Sequence, residues 1–381
     1  MITKKIKPKI YYISELNLPN TSAYSIHVMK MCEAFSKLGF SIDLFAIKRS
    51  NLKKIFKIYD IKYKFNIISI FNNFLKLNLL LRLIFSLKIL LKNLDKESII
   101  ISRSILFALI ASVKKKNIIL ELHHEISGFS KFLYLFLKKF KLIQSLRFIF
   151  LHKALKKKYK IENSKNIVLD DAVNIENFNL KKKKKFKNTC VYIGSFFKGK
   201  GIEQIFRLAK LNKQIFFHIY GEKKYLKNKK LKKNIKIFDY VSYSRIPKIL
   251  SYYEVALMPY QRKIKGRGSI WLEEYMSPLK MFDYLAAKMI IIASDLKVYK
   301  HILKNNFNCK LVKINDDNKW SKTINSVFKD IKKNNYLKHN AYNTAKKYTW
   351  DIRCKKVISF AKKLSLKLRK FDCNTQIEST I

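Results

Sequence analysis

Short apolar runs bounded by turn residues alternate with longer stretches of helical period along this sequence, and no other feature restricts its fold so much. KIYYISEL near the start is apolar at successive positions, as a strand buried on both faces of a sheet must be. The polar loop LPNTSAYS follows, then the periodic segment HVMKMCEAFSKLG closing on Gly39, then the run SIDLFAI. That is one strand, helix, strand unit, whose strands pair in parallel. The pattern returns with SIIISR, the helix FALIASVKKK and the strand IILELHH, and continues through RFIF and IVLDDAV to Val173.

A lysine run from Lys181 to Lys185 interrupts the series, and a fresh one begins with the strand CVYIG, the turn SFFKGKG and the helix IEQIFRLAKL. FFHIYG, IKIFDYV, EVALMPY and MIIIASD carry it on. Two doubly wound α/β halves joined by a basic linker are the economical reading, and 381 residues let each half bury its own core. Ligands in such sheets bind beyond the carboxyl ends of the strands, so the loops after each strand are where chemistry is expected.

The formal net charge of +55 calls for an anionic partner or for a plainer cause. The charge is mostly lysine, spread everywhere in a chain also crowded with Ile, Asn and Phe, as an AT-rich coding bias produces, so a solubilising surface and a polyanion-binding surface both remain open. Hydrophobic residues at 48% exclude a disordered tail protein. The five cysteines, Cys32, Cys190, Cys309, Cys354 and Cys373, have no metal-ligand or redox spacing, which fits a reduced, cytoplasmic setting. MITKKIKPKIYYISEL lacks a signal-peptide pattern, and no run reaches the ~18 apolar residues of a membrane span.

Two strand-to-helix turns carry the same device. In CVYIGSFFKGKGIE the chain passes Gly194, Gly199 and Gly201, and Lys200 stands at the mouth of a helix, where free amides and the helix dipole favour a phosphate. In SPLKMFDYLAAK, Ser277 is placed to cap, Pro278 to occupy the first turn, and Lys280 follows Leu279 inside that turn. A first-turn lysine opposes the helix dipole, so an anion that offsets the repulsion is expected beside it. Asp283, one turn later, either accepts hydrogen bonds from sugar hydroxyls or simply favours the helix start. Asp170–Asp171 and Asp316–Asp317 are adjacent pairs with no spaced partner, so no metal site is expected.

In their order, SAYSIHVMKMCEAFSKLGFSIDLF, ELHHE, IVLDDAVNIENF, IGSFFKGKGIE, FHIYGE, RIPKILSYYEVALMPY, SPLKMFDYLAAKMIIIASD and YTWDIRCKKV resemble the GT-B glycosyltransferases of family 4, the glycosyl transferases group 1, over nearly the whole chain. The resemblance implies two Rossmann-like domains facing each other across a cleft: an acceptor-binding domain over 1–180, a nucleotide-sugar-binding domain over 181–347, a helix crossing back over 348–370 and a tail over 371–381. It implies retaining, metal-independent sugar transfer with no cofactor beyond the nucleotide-sugar co-substrate. Lys200 stands at the family's phosphate-binding lysine, Gly194 at its strand-end glycine, and Ser277, Pro278, Leu279 and Lys280 at the diphosphate segment. Gly221 of FHIYGE belongs to the loop beside the nucleotide, and His123 matches a histidine that reaches the donor sugar, with His124 as its neighbouring alternative. Three departures stand out: Ser195 replaces an arginine, with Lys198 as the substitute cation; Asp283 replaces the second of two spaced glutamates; Tyr275, beside Glu274, replaces the first.

On the acceptor side, the stretches 72–93 and 130–150 are basic and amphipathic, so they either pack on the first sheet or lie in a membrane interface. A glycan or lipid-linked acceptor in the making of bacterial envelope polysaccharide or glycolipid, met at the inner face of the cytoplasmic membrane, fits both charge and resemblance. A nucleic-acid-binding protein and another GT-B enzyme, such as a sugar-nucleotide epimerase, are the alternatives. No nucleic-acid-binding module appears among the motifs, so nucleic acid is not the expected partner.

Overall fold

The computed structural model describes residues 7–71, 78–95, 97–114, 118–180, 183–223, 231–264 and 275–362. The chain divides into two compact units, the first made of 1–151, 156–169 and 350–381, the second of 152–155 and 170–349.

In the first unit, β1 (Ile10–Leu18), β2 (Ile42–Lys48), β3 (Asn66–Ser69), β4 (Ile99–Ser102), β5 (Ile118–Leu122), β6 (Arg147–Phe150) and β7 (Asn166–Val168) form one seven-stranded sheet in the order β3-β2-β1-β4-β5-β6-β7. Every pairing is parallel. β1, β2 and β5 are buried almost throughout, which is why their sequences run apolar rather than alternating. The helix Ala23–Lys37 is opened by the Ser22 hydroxyl, which accepts from the Ser25 N–H, and Gly39 turns the chain just past its end. The segment after Thr349 returns to this unit as a helix over 350–362, with Trp350 buried against the His27 ring.

In the second unit, β8 (Thr189–Ile193), β9 (Phe216–Tyr220), β10 (Ile235–Phe238), β11 (Val255–Met258), β12 (Ile290–Ser294) and β13 (Lys310–Val312) form a six-stranded sheet in the order β10-β9-β8-β11-β12-β13. Its pairings are also parallel. The sheet is sandwiched between two apolar layers, one containing Met281, Phe282 and Leu285, the other Ile205, Leu208 and Trp320. Strand order reverses direction between β1 and β4 in one sheet and between β8 and β11 in the other, which makes the carboxyl ends of those pairs the switch points where ligands bind. Apart from 152–155, the second unit runs from Asp170, ahead of the basic run, to Thr349, and a parallel bridge joins Val173 to Thr349.

Candidate functional site

At the end of β8 the Gly194 N–H donates to the Tyr220 carbonyl (3.0 Å), and the chain turns toward the helix Ile202–Leu211. Gly199 and Gly201 sit at φ +85° and +86°, where a Cβ would also overlap the carbonyl oxygens of Lys263 and Pro259. Only glycine permits both the turn and this approach to the loop after β11. The Gln261 N–H donates to the Gly199 carbonyl (2.9 Å) and the Lys200 N–H to that of Phe197 (3.0 Å). The turn so fixed holds the Lys200 ammonium 4.6 Å from the centre of the Tyr260 ring.

The helix Leu279–Ala286 brings a second cation to the same place. Lys280 Nζ lies 3.5 Å from the centre of the Tyr192 ring and 5.3 Å from that of Tyr260. It presses on Gly194 so closely that a Cβ there would overlap it. This nitrogen is buried and has no hydrogen-bond partner among the described residues. Tyr284 ties the helix to the strand end, its hydroxyl accepting from the Ile193 N–H (2.9 Å). One expectation is corrected here. Ser277 does not cap this helix: its hydroxyl accepts from the Asp171 N–H (2.9 Å), and Pro278 holds the cap position with no side-chain cap bond. Proline at the cap has an extended backbone and no acceptor side chain; the Met281 N–H donates to its carbonyl (2.9 Å), and no side chain of the described residues caps the turn.

Gly221 packs on this turn, where a Cβ would overlap the Gly194 carbonyl oxygen and the Phe196 ring. Ser195 contributes through its backbone carbonyl, which accepts from the Tyr192 hydroxyl (2.8 Å). Leu279 is buried, and Asp283 Oδ1 accepts from the Tyr243 hydroxyl (3.3 Å). Gly194, Lys200, Gly221 and Lys280 are thus gathered at one switch point, with Asp283 a turn further along the same helix. Lys198 is exposed and lines a groove with Glu203, Arg207 and Lys313, apart from the two lysines on Tyr260. Tyr275 is buried, and Glu274 lies outside the described residues.

Two ammonium groups facing one ring in a water-poor pocket strain their own protonation. Burial, and then the charge of Lys200, hold Lys280 well below the usual lysine range, with Asp283 acting in the opposite sense. Burial lowers Lys200 to about 8. Burial raises the Asp283 carboxyl to about 7, against the pull of the Tyr243 hydrogen bond and Lys280. An anion placed at the two lysines would relieve their repulsion and supply Lys280 with an acceptor. Tyr192 and Tyr260 escaped the sequence reading because a tyrosine in or just past a strand is ordinary core material, although each adjoins a lysine-bearing loop; Tyr243, in the short turn Tyr243–Arg245, had no assigned role.

His123 belongs to the first unit, just past the end of β5. Its Nε2 faces Glu121 Oε1 at 3.2 Å, and His27 Nε2 lies 2.8 Å from the same oxygen. Arg353, from the helix over 350–362, donates to that oxygen (2.6 Å), while the Tyr12 hydroxyl donates to Oε2 (2.6 Å). The rings of His27 and His123 meet edge to face at 4.6 Å. Burial would raise the Glu121 pKa, but His27, Arg353 and these hydrogen bonds together hold it well below the carboxylate range. Burial, with the Arg103 charge, holds His123 well below the imidazole range, so its ring is neutral at pH 7. His124 turns elsewhere, its Nδ1–H donating to the Glu125 carbonyl (2.8 Å). His27, Glu121 and His123 carry ligand-type atoms close enough to hold a metal ion, yet a guanidinium on the shared oxygen makes this a hydrogen-bond hub rather than a cation cradle. His27, Glu121 and Arg353 had no assigned role in the sequence reading.

The family model described as glycosyl transferases group 1 matches residues 174–344. No curated protein matches the sequence at a significant level. Among solved structures, a glycosyltransferase from Rickettsia africae aligns with a TM-score of 0.70 and 16% identity over 94% of this chain and 98% of that one. HepE from Anabaena in complex with UDP and glucose aligns with a TM-score of 0.67 and 13% identity over 94% and 100%. A TarM variant from S. aureus in complex with fondaparinux, alpha-GlcNAc-glycerol and UDP gives 0.71 and 14% over 93% and 99%. These likenesses place both sheets in the two-domain GT-B fold.

Proposed function

We propose that the chain, whose residues 174–344 match the family model described as glycosyl transferases group 1, transfers a sugar from a nucleotide-diphosphate sugar to a glycan or lipid-linked acceptor, with retention of configuration and without a metal. The observation that carries this reading is the pair Lys200 and Lys280, packed on Tyr192 and Tyr260 at the mouths of two helices that no side chain among the described residues caps. Breaking a sugar–phosphate bond leaves negative charge on the diphosphate, and cations with amides already aimed there lower the barrier without reorganising. The donor we favour is a UDP-sugar, since the similar HepE and TarM structures hold UDP. Asp283 then binds ribose hydroxyls, and the Gly221 loop lies beside the nucleotide.

His123 is the residue we assign to the transferred sugar: it is neutral, and its Nε2 is held by Glu121. Same-face attack by the acceptor is favoured over a covalent intermediate, because Asp283 is engaged by Tyr243 and, with its carboxyl raised to about 7, is about half protonated at neutral pH. The setting proposed is envelope polysaccharide or glycolipid synthesis in the cytoplasm, with peripheral contact at an anionic membrane. No helix among the described residues is long and apolar enough to cross one.

A thermal-shift panel of UDP, GDP, ADP and CMP, run without metal on the wild type, Lys200→Ala and Lys280→Ala, tests the reading. UDP should raise the melting temperature of the wild type and leave both variants unmoved. If no nucleotide shifts the wild type, the donor site is wrong. The anomeric configuration of the product and activity in a chelator test retention and metal independence.

A further inference from the structure

The helix Gly128–Lys139 has two apolar faces where a globular helix needs one. Ser130, Tyr134 and Leu137 are buried on the inner face. Phe129, Phe132, Phe136 and Phe140, spaced i, i+3, i+7 and i+11, form a second stripe in solvent, with Phe132 66% exposed. The rings pair along it, Phe129 with Phe132 at 6.5 Å and Phe136 with Phe140 at 4.8 Å. Lys131, Lys138 and Lys139 are exposed on the same helix. The helix Ile105–Val113 packs between this one and Leu79–Leu90, which carries an outward stripe of its own, Leu80, Leu87 and Leu91.

We propose that the phenylalanine stripe of Gly128–Lys139 inserts into the interface of an anionic bilayer, with the bordering lysines on the headgroups. An apolar ridge with Lys139 beside it and Lys131 and Lys138 further round the exposed side matches that boundary, where rings sink below the phosphates and ammonium groups stay level with them. A second copy of this chain is a poor occupant, because its own ridge is lysine-bordered and the chain carries +55. The inference rests on the lipid-linked acceptor proposed above, and it names the surface that brings the enzyme to it.

Cosedimentation of the full chain with vesicles of phosphatidylcholine, with and without phosphatidylglycerol, tests it. The wild type should bind only the phosphatidylglycerol vesicles, and Phe132→Ser/Phe136→Ser should bind them at least ~10-fold more weakly. Both positions are solvent-exposed, so the variant should keep the wild-type melting temperature and its nucleotide shift, which separates failure here from failure of the donor site. Trp fluorescence of Phe132→Trp should move to shorter wavelength on the anionic vesicles. Unchanged vesicle binding by the double variant, no movement of the Trp emission, or a dimer that the double variant dissolves would overturn the proposal.

Discussion

A lysine whose ammonium rests on a tyrosine face with no acceptor is held in a state that a bound anion would improve. The pH dependence follows with a definite sign. Lys200 titrates at about 8 in the folded chain against 10.5 when free, because burial disfavours its charge. Its contribution to stability is therefore complete above 10.5 and lost as pH falls through about 8. Diphosphate binding moves the other way: above about 8 the neutral amine must first take up a proton, so affinity falls by up to tenfold per pH unit. Calorimetric titration with UDP at several pH values should show that slope, and Lys200→Met should flatten it. An affinity rising with pH would mean the lysine does not meet the phosphate. Lys280 stood out in the sequence because a cation in the first turn contradicts the helix dipole, and Lys200 because glycines flank it at a strand-to-helix turn; the rings beneath them did not, since tyrosine in or beside a strand contradicts nothing.

Among elements, the helix over 350–362 does two things for the first unit: Trp350 fills a space beside His27, and Arg353 neutralises Glu121 from the far end of the chain. Removing one partner of a buried ion pair leaves the other uncompensated, so Arg353→Met should cost about 3 kcal/mol of stability. Chemical denaturation checks this, and Arg353→Met/Glu121→Gln should recover part of the loss; an additive double variant would show that the two do not act on each other. The sequence displayed this helix but not its bond, because 232 residues separate the two ends. Buried strands such as β1, β5, β8 and β12 were readable as mainly β-branched and apolar runs. β3 and β13, with four and three residues, were missed, whereas the equally short edge strands β7 and β10 were read because the longer runs IVLDDAV and IKIFDYV overlap them.

At the scale of the molecule, the candidate donor residues Gly194, Lys200, Gly221, Lys280 and Asp283 all belong to the second unit. Bound UDP should therefore slow amide exchange around residues 194–201 and 279–286 and leave the strands of the first unit at their free rates; equal slowing in both units would relocate the site. Two sheets were legible because the strand and helix rhythm restarts after the lysine run. That the chain returns to its first unit was not read from any period and came only with the family resemblance. This return also sets an order in time. The first sheet is complete by Val168, yet the guanidinium that answers Glu121 is made 232 residues after that acid, so at ordinary synthesis rates of ~5–20 residues per second it follows Glu121 by ~10–50 s. Until then the nascent first unit must shelter a half-satisfied acid, and the helix over 350–362 that closes it emerges only after the second sheet has been made.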